Sequence, residues 1–286
     1  MVASASACVS SHTRCLAWNE PIYDAAIAHP RCAGQHVTMS IESAADLAGM
    51  QQVGTVVALA IAEMKAAARV GTTTAELDAV ALSTFKRFGA RSAPQLIYGF
   101  PGITCISVND EIVHGIPGPR RLASGDVLKV DVTAELGGYI ADAATTILLP
   151  PIRLSATRLK EAASTALRAA LSVARAGERV SVIGRAIETE AKRAGFAVVR
   201  ELCGHGVGKE IHEHPSVPNY EDRFSRDVLT EGLVIAVEPM LSELPSTAVE
   251  ANDGWTIRTR NGCLAVHEEH TIVICQGAPL VVTAAA

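Results

Sequence analysis

ARVGTTTAELDAVALSTFKRFG, residues 68–89, is answered 106 residues further on by ARAGERVSVIGRAIETEAKRAG, residues 174–195. Both stretches open on Ala-Arg-x-Gly and close on Lys-Arg-x-Gly, and Leu77 falls on Ile183 at the same offset. Each reads as the end of an apolar helix, a turn, an amphipathic helix and a glycine stop. A period this long does not belong to a solenoid. It predicts two similar halves related by a pseudo-twofold axis. Upstream, Ser43 with Asp46 three residues on resembles a capping box, and apolar residues recur at helical spacing through Val53, Val56, Val57, Ile61 and Met64. A helix is therefore expected from about residue 41, and a second over 74–88. Each repeat is followed by short β-branched segments: 104–108, 112–116, 126–134 and 139–149, then 197–202, 231–238, 255–259 and 264–275. The fold class is α+β, with helices covering one face of an antiparallel sheet built from both halves.

The bulk properties exclude several classes. The 286 residues are 49% hydrophobic with a net charge of −5, which argues against nucleic acid as a substrate. No continuous apolar run approaches the ~20 residues of a membrane span. The seven cysteines are scattered without a C-x-x-C pair, so neither a zinc knuckle nor a disulfide framework is indicated, and a reduced cytoplasm is the simplest setting. Residues 1–38 are Ser/Ala-rich and aperiodic. They read as a flexible or non-native extension ahead of Met39, leaving 39–286 as a single domain.

Five side chains carry the chemistry: Asp131, Asp142, His205, Glu238 and Glu269. Each lies in an apolar or glycine-rich segment where a charged or polar group is out of place. Four carboxylates gathered at one buried point could not all ionise without cations, and two divalent ions would balance them. Asp131 and Asp142 flank the Gly137-Gly138 turn of a hairpin. They are directly opposite if the turn centres near Leu136-Gly137 and diagonal if it centres on the two glycines. His205 and His212 lie in a glycine-rich stretch, 204–215, read as a loop passing close to a bound group; it lacks the G-K-[ST] of a phosphate cradle. Glu238 closes a strand of Leu, Val, Ile and Ala and needs a partner. Alternation puts Glu269 and Thr271 on one face and Glu268 and His270 on the other, without saying which face joins the cluster. His114 sits in an apolar context that fits a ligand, a substrate contact or a core residue. Oxygen-rich ligation with one imidazole suits Mn, Fe, Co or Zn rather than a structural zinc site.

The stretches SVNDEIVHGIP (107–117), DVLKVDVT (126–133), GHGVGKEIHEHP (204–215), AVEP (236–239) and EEHT (268–271) together resemble the type I methionine aminopeptidases over about 39–275. The resemblance implies the pseudo-symmetric pita-bread fold and removal of N-terminal methionine from nascent proteins. It makes Asp131, Asp142, His205, Glu238 and Glu269 the ligands of two divalent ions and chooses Glu269 over Glu268. It gives Glu238, His114 and His212 catalytic roles, and it assigns the side-chain pocket to Phe100, Cys105, Ile211 and Trp255. The peptide N-terminus is the implied partner, with the ribosome a further one, and a monomer is expected. The short run from His212 to Glu238 lacks the type II insertion. Pro94 and Ile97 stand where thiol and aromatic residues are common, and Ala143-Ala144 replace the usual hydroxyl after Asp142. These departures bear on side-chain preference. The rival readings are a related metalloaminopeptidase of different preference and a non-catalytic binding module on the same fold.

Overall fold

The computed structural model describes residues 40–284, so the expectation for residues 1–38 lies outside the described residues. Helix α1 (Ala44–Ala67) begins where Ser43 Oγ accepts the Asp46 N–H. Thr73 and Glu76 form a complete capping box for α2 (Thr74–Phe88), which ends at Gly89. The first half continues through β1 (Arg91–Ser92), the short helix α3 (Ala93–Tyr98), β2 (Cys105–Val108), β3 (Glu111–Val113) and the hairpin of β4 (Val127–Leu136) and β5 (Tyr139–Leu148). The second half opens with helices α4 (Leu154–Val173) and α5 (Ser181–Ala194). Its strands are β6 (Ala197–Val198), β7 (Cys203–Gly206), β8 (Glu213–Pro218), β9 (Val234–Val237), β10 (Met240–Ser242), β11 (Ala248–Glu250), β12 (Ile257–Thr259), β13 (Ala265–His267), β14 (His270–Val273) and β15 (Leu280–Val281).

The expected duplication is present in the backbone. Gly71 and Gly177 both have φ 91°. Gly71 N–H donates to Leu122 O at 2.8 Å, and Gly177 N–H donates to Leu229 O at 2.8 Å. Leu122 and Leu229 return the bond to Thr72 and Glu178 at 2.9 and 2.8 Å. Leu77 and Ile183, matched in the repeat, are both fully buried.

In the first half β4 pairs with β5 on one side and with β1 and β2 on the other. The second half forms a sheet in the order β15-β14-β9-β7-β8. The two meet where β5 abuts β14: Asp142 N–H donates to Thr271 Oγ1 (2.9 Å), the Thr271 hydroxyl donates to Asp142 O (2.7 Å), and Glu269 N–H donates to Ala144 O (2.9 Å). Two three-stranded sheets, β13-β10-β6 and β11-β12-β3, complete the strand layer. Helix α1 buries Met50, Val53, Val56, Val57 and Met64 in the core of the first half, along with Leu128, Val130 and Val132 of β4.

The sequence expectations need correcting in four places. By length and composition α1 is apolar enough to cross a membrane. Its alanines and glycines hide this from a search for continuous large apolar residues. Here it serves as a core helix, its large side chains turned onto the sheet. The segment 264–275 is two strands broken at Glu268-Glu269, and 197–202 shrinks to two residues. The stretch 204–215 is no simple loop, because it contains the end of β7 and the start of β8. Its glycines suppress strand propensity but serve close packing. A Cβ on Gly204 would lie 2.3 Å from Ala236 O, and one on Gly206 would lie 2.4 Å from His214 O.

Candidate metal centre

The β4–β5 register pairs Asp131 with Ala144 and Thr133 with Asp142. The turn therefore centres on Gly137-Gly138, whose φ values of 61° and 86° suit a type I′ hairpin. The two aspartates are diagonal neighbours on one face. The alternate residues Leu128, Val130 and Val132 face the helix side, so the strand period alone sends Asp131 inward. His205 is carried on β7, where the register with β8 shifts between His205 and Gly206. Glu238 follows β9, its carbonyl accepting from Asn219 Nδ2 at 3.0 Å. Glu269 stands at the break between β13 and β14. Its neighbour Glu268 turns away and accepts from Thr146 N–H (3.1 Å) and the Thr145 hydroxyl (3.4 Å).

Donor atoms of Asp142, His205 and Glu269 all lie within 4.8 Å of one another. His205 Nε2 is 3.4 Å from Glu238 Oε1. Asp142, His205, Glu238 and Glu269 are buried, and Asp131 keeps partial exposure to the same space. All five line a cavity of about 140 Å³ together with His114, His212, Cys105 and Ile211. Phe100 and Trp255 do not line it; they pack edge to face at 5.2 Å.

Electrostatics make this arrangement costly without cations. Burial, then the Asp142 charge, pushes Asp131 well above the carboxylate range. Burial raises Asp142. Burial, then Asp142, Glu238 and Asp131, pushes Glu269 well above its ordinary value. No Lys or Arg forms an ion pair with Asp131, Asp142 or Glu269 among the described residues. Asp142 Oδ1 and Glu269 Oε1 are buried with no hydrogen-bond partner. Orphaned carboxylate oxygens beside an imidazole are the donor set a divalent cation requires, so the residues fit a metal.

The histidines are kept neutral. Burial and His205 take His114 down to about 4. Burial, then His205 and His114, holds His212 well below the histidine range. His114 also has φ 58°, a left-handed backbone that costs a non-glycine residue about 1 kcal/mol or more. Glu213 closes the turn that presents His212, accepting from Lys209 and Glu210 N–H at 2.7 and 2.9 Å. The Tyr98 hydroxyl lies 2.7 Å from His212 Nδ1.

Sequence reasoning passed over Tyr98 and His267. Tyr98 carries no sequence signal, because its partner is 114 residues away. His267 could have been found, since the alternation that pairs Glu269 with Thr271 also includes it.

The chain is similar to known metallopeptidases in sequence and in fold. A model of metallopeptidase family M24 matches residues 48–276. Methionine aminopeptidase 2 of Bacillus subtilis is 40% identical over 247 residues, covering 86% of this chain and 99% of that protein. Methionine aminopeptidase 1 of the same organism is 39% identical over 231 residues, covering 81% and 93%. The crystal structure of a methionine aminopeptidase from Thermotoga maritima superposes with a TM-score of 0.83 at 32% identity, covering 86% of this chain and 99% of that one. A prolidase from Pyrococcus furiosus shares the fold, with a TM-score of 0.70 at 20% identity over 87% of this chain and 66% of its own.

Proposed function

The chain belongs to metallopeptidase family M24, and from that membership we infer a metal-dependent aminopeptidase that removes the N-terminal methionine from peptides and newly made proteins. Its fold is the pita-bread fold, and it works with divalent metal ions. The observation that carries the reading is the convergence of Asp142, His205 and Glu269, from both halves, on one buried point. We assign Asp131, Asp142, His205, Glu238 and Glu269 as the ligands of two divalent ions drawn from Co, Mn, Fe and Zn. We read residues 39–286 as one catalytic domain, monomeric and cytoplasmic, that meets nascent chains at or near the ribosome. The bound cations would balance the carboxylates and acidify a water for attack on the first peptide bond.

The chain's own side chains do the rest. Glu238 takes the water's proton and returns it to the leaving amine. His212, neutral and buried, donates Nε2–H to the carbonyl oxygen as it gains negative charge. We assign the Tyr98 hydroxyl, 2.7 Å from Nδ1, as the donor to that nitrogen, which leaves the proton on Nε2. His114 contacts the amide nitrogen of the second residue. Cys105 and Ile211 line the side-chain pocket.

A panel of Met-Ala, Met-Lys, Ala-Ala and Xaa-Pro peptides, run with Mn, Co and Fe, tests the reading. Cleavage confined to the Met peptides is expected. Preference for Ala-Ala or Xaa-Pro would replace the assigned specificity, and inactivity with every metal would replace the enzyme by a binding module.

A further inference from the structure

His267 is the least explained polar group in the core. Its side chain is 2% exposed, and neither ring nitrogen has a hydrogen-bond partner. A buried, unpaired polar group costs about 1–3 kcal/mol. The backbone at this residue is tightly held: His267 N–H donates to Thr146 Oγ1 at 3.0 Å, and His267 O accepts from the Thr146 hydroxyl at 2.8 Å. The main chain is thus anchored to β5 with the ring in the buried interior. Its Nε2 lies 3.6 Å from Glu238 Oε2 and 3.6 Å from Glu269 Oε2. Glu238 Oε1 meanwhile faces His205 Nε2. The donor atoms of Asp142, His205 and Glu269 cluster without His267. The imidazole therefore stands beside the ligand cluster, facing two of its carboxylates.

We propose that His267 is a positioning residue that donates Nε2–H to Glu238 Oε2 and Glu269 Oε2 when the centre is loaded. A closure of a few tenths of an ångström brings either contact within hydrogen-bond range. One oxygen of Glu238 is then held, and the other is left to handle the water's proton. This role rests on the function proposed above.

The test uses the full chain, made metal-free by chelation and reloaded with Mn(II) or Co(II). His267→Leu should lower kcat on Met-Ala-containing peptide by about tenfold or more with KM within about twofold, and weaken Mn(II) binding by calorimetry about 10-fold or more. His267→Gln keeps a donor and should recover most of both. In the loaded wild type, ¹⁵N–¹H correlation of labelled histidines should show His267 protonated at Nε2, assigned by its loss in the Gln variant. That measurement decides the matter even if the Leu variant does not fold. A Leu variant equal to wild type, a Gln variant as impaired as Leu, or an unprotonated Nε2 each overturns the proposal. The two readings fail differently: an inactive wild type removes the aminopeptidase, whereas an active wild type with an indifferent Leu variant removes only the role of His267.

Discussion

At the residue scale, the site separates side chains that hold charge from side chains that move or stabilise it. His212→Ala should lower kcat by about 10²-fold or more, the cost of one oxyanion donor, with metal content by mass spectrometry unchanged. Loss of metal in that variant would make His212 a ligand instead. Glu238→Gln keeps the size of the side chain but cannot take a proton, and should abolish turnover. An active Glu238→Gln enzyme would move the proton shuttle to another group. Both outcomes follow from burial: the imidazole is held neutral by its surroundings, and the carboxylate faces the cavity.

At the scale of elements, the helices place the strands that carry the site. Asp78 of α2 accepts from Ile103 N–H (3.1 Å), Thr104 N–H (2.8 Å) and the Thr104 hydroxyl (2.8 Å). This clasp sets the start of β2, whose first residue, Cys105, pairs with Asp131. Asp78→Ala would strand these donors in a buried place and should cost about 1–3 kcal/mol, read as a lower midpoint in urea. An unchanged midpoint would show that water replaces the carboxylate. The caps at Ser43 and Thr73 are visible in the sequence because a cap needs only neighbours within three residues. The clasp at Asp78 is not, because its partners lie in a loop that folding brings back.

At the scale of the molecule, the metal-free fold carries a cluster of carboxylates at the junction of its halves. Asp131 and Glu269 have folded pKa values raised well above their unfolded ones, so the metal-free fold binds more protons than the unfolded chain. These groups cost stability as pH rises from the ordinary carboxylate range, and bound cations remove that cost. Chelation should lower the melting temperature. The gain on adding Mn(II) should grow between pH 6 and pH 8; saturation at about 100 times Kd contributes about 2.7 kcal/mol for each site. Differential scanning fluorimetry with chelator and with metal checks this. Equal melting with chelator and with Mn(II) at both pH values would mean that no cation is held at the cluster.

Much of this protein was legible in the chain. The duplicated unit, helix 74–88 and the hairpin with its two aspartates all depend on caps, turns and alternation, which act over a few residues. Tertiary structure decided the rest. It chose the diagonal hairpin register, broke 264–275 so that Glu269 faces in and Glu268 out, drew strands from a glycine-rich stretch, and put His267 and Tyr98 beside side chains far away in sequence. The reason is physical: a residue's own neighbours bias its backbone, but which side chains meet depends on where long segments close against each other, and only burial of the two halves together settles that.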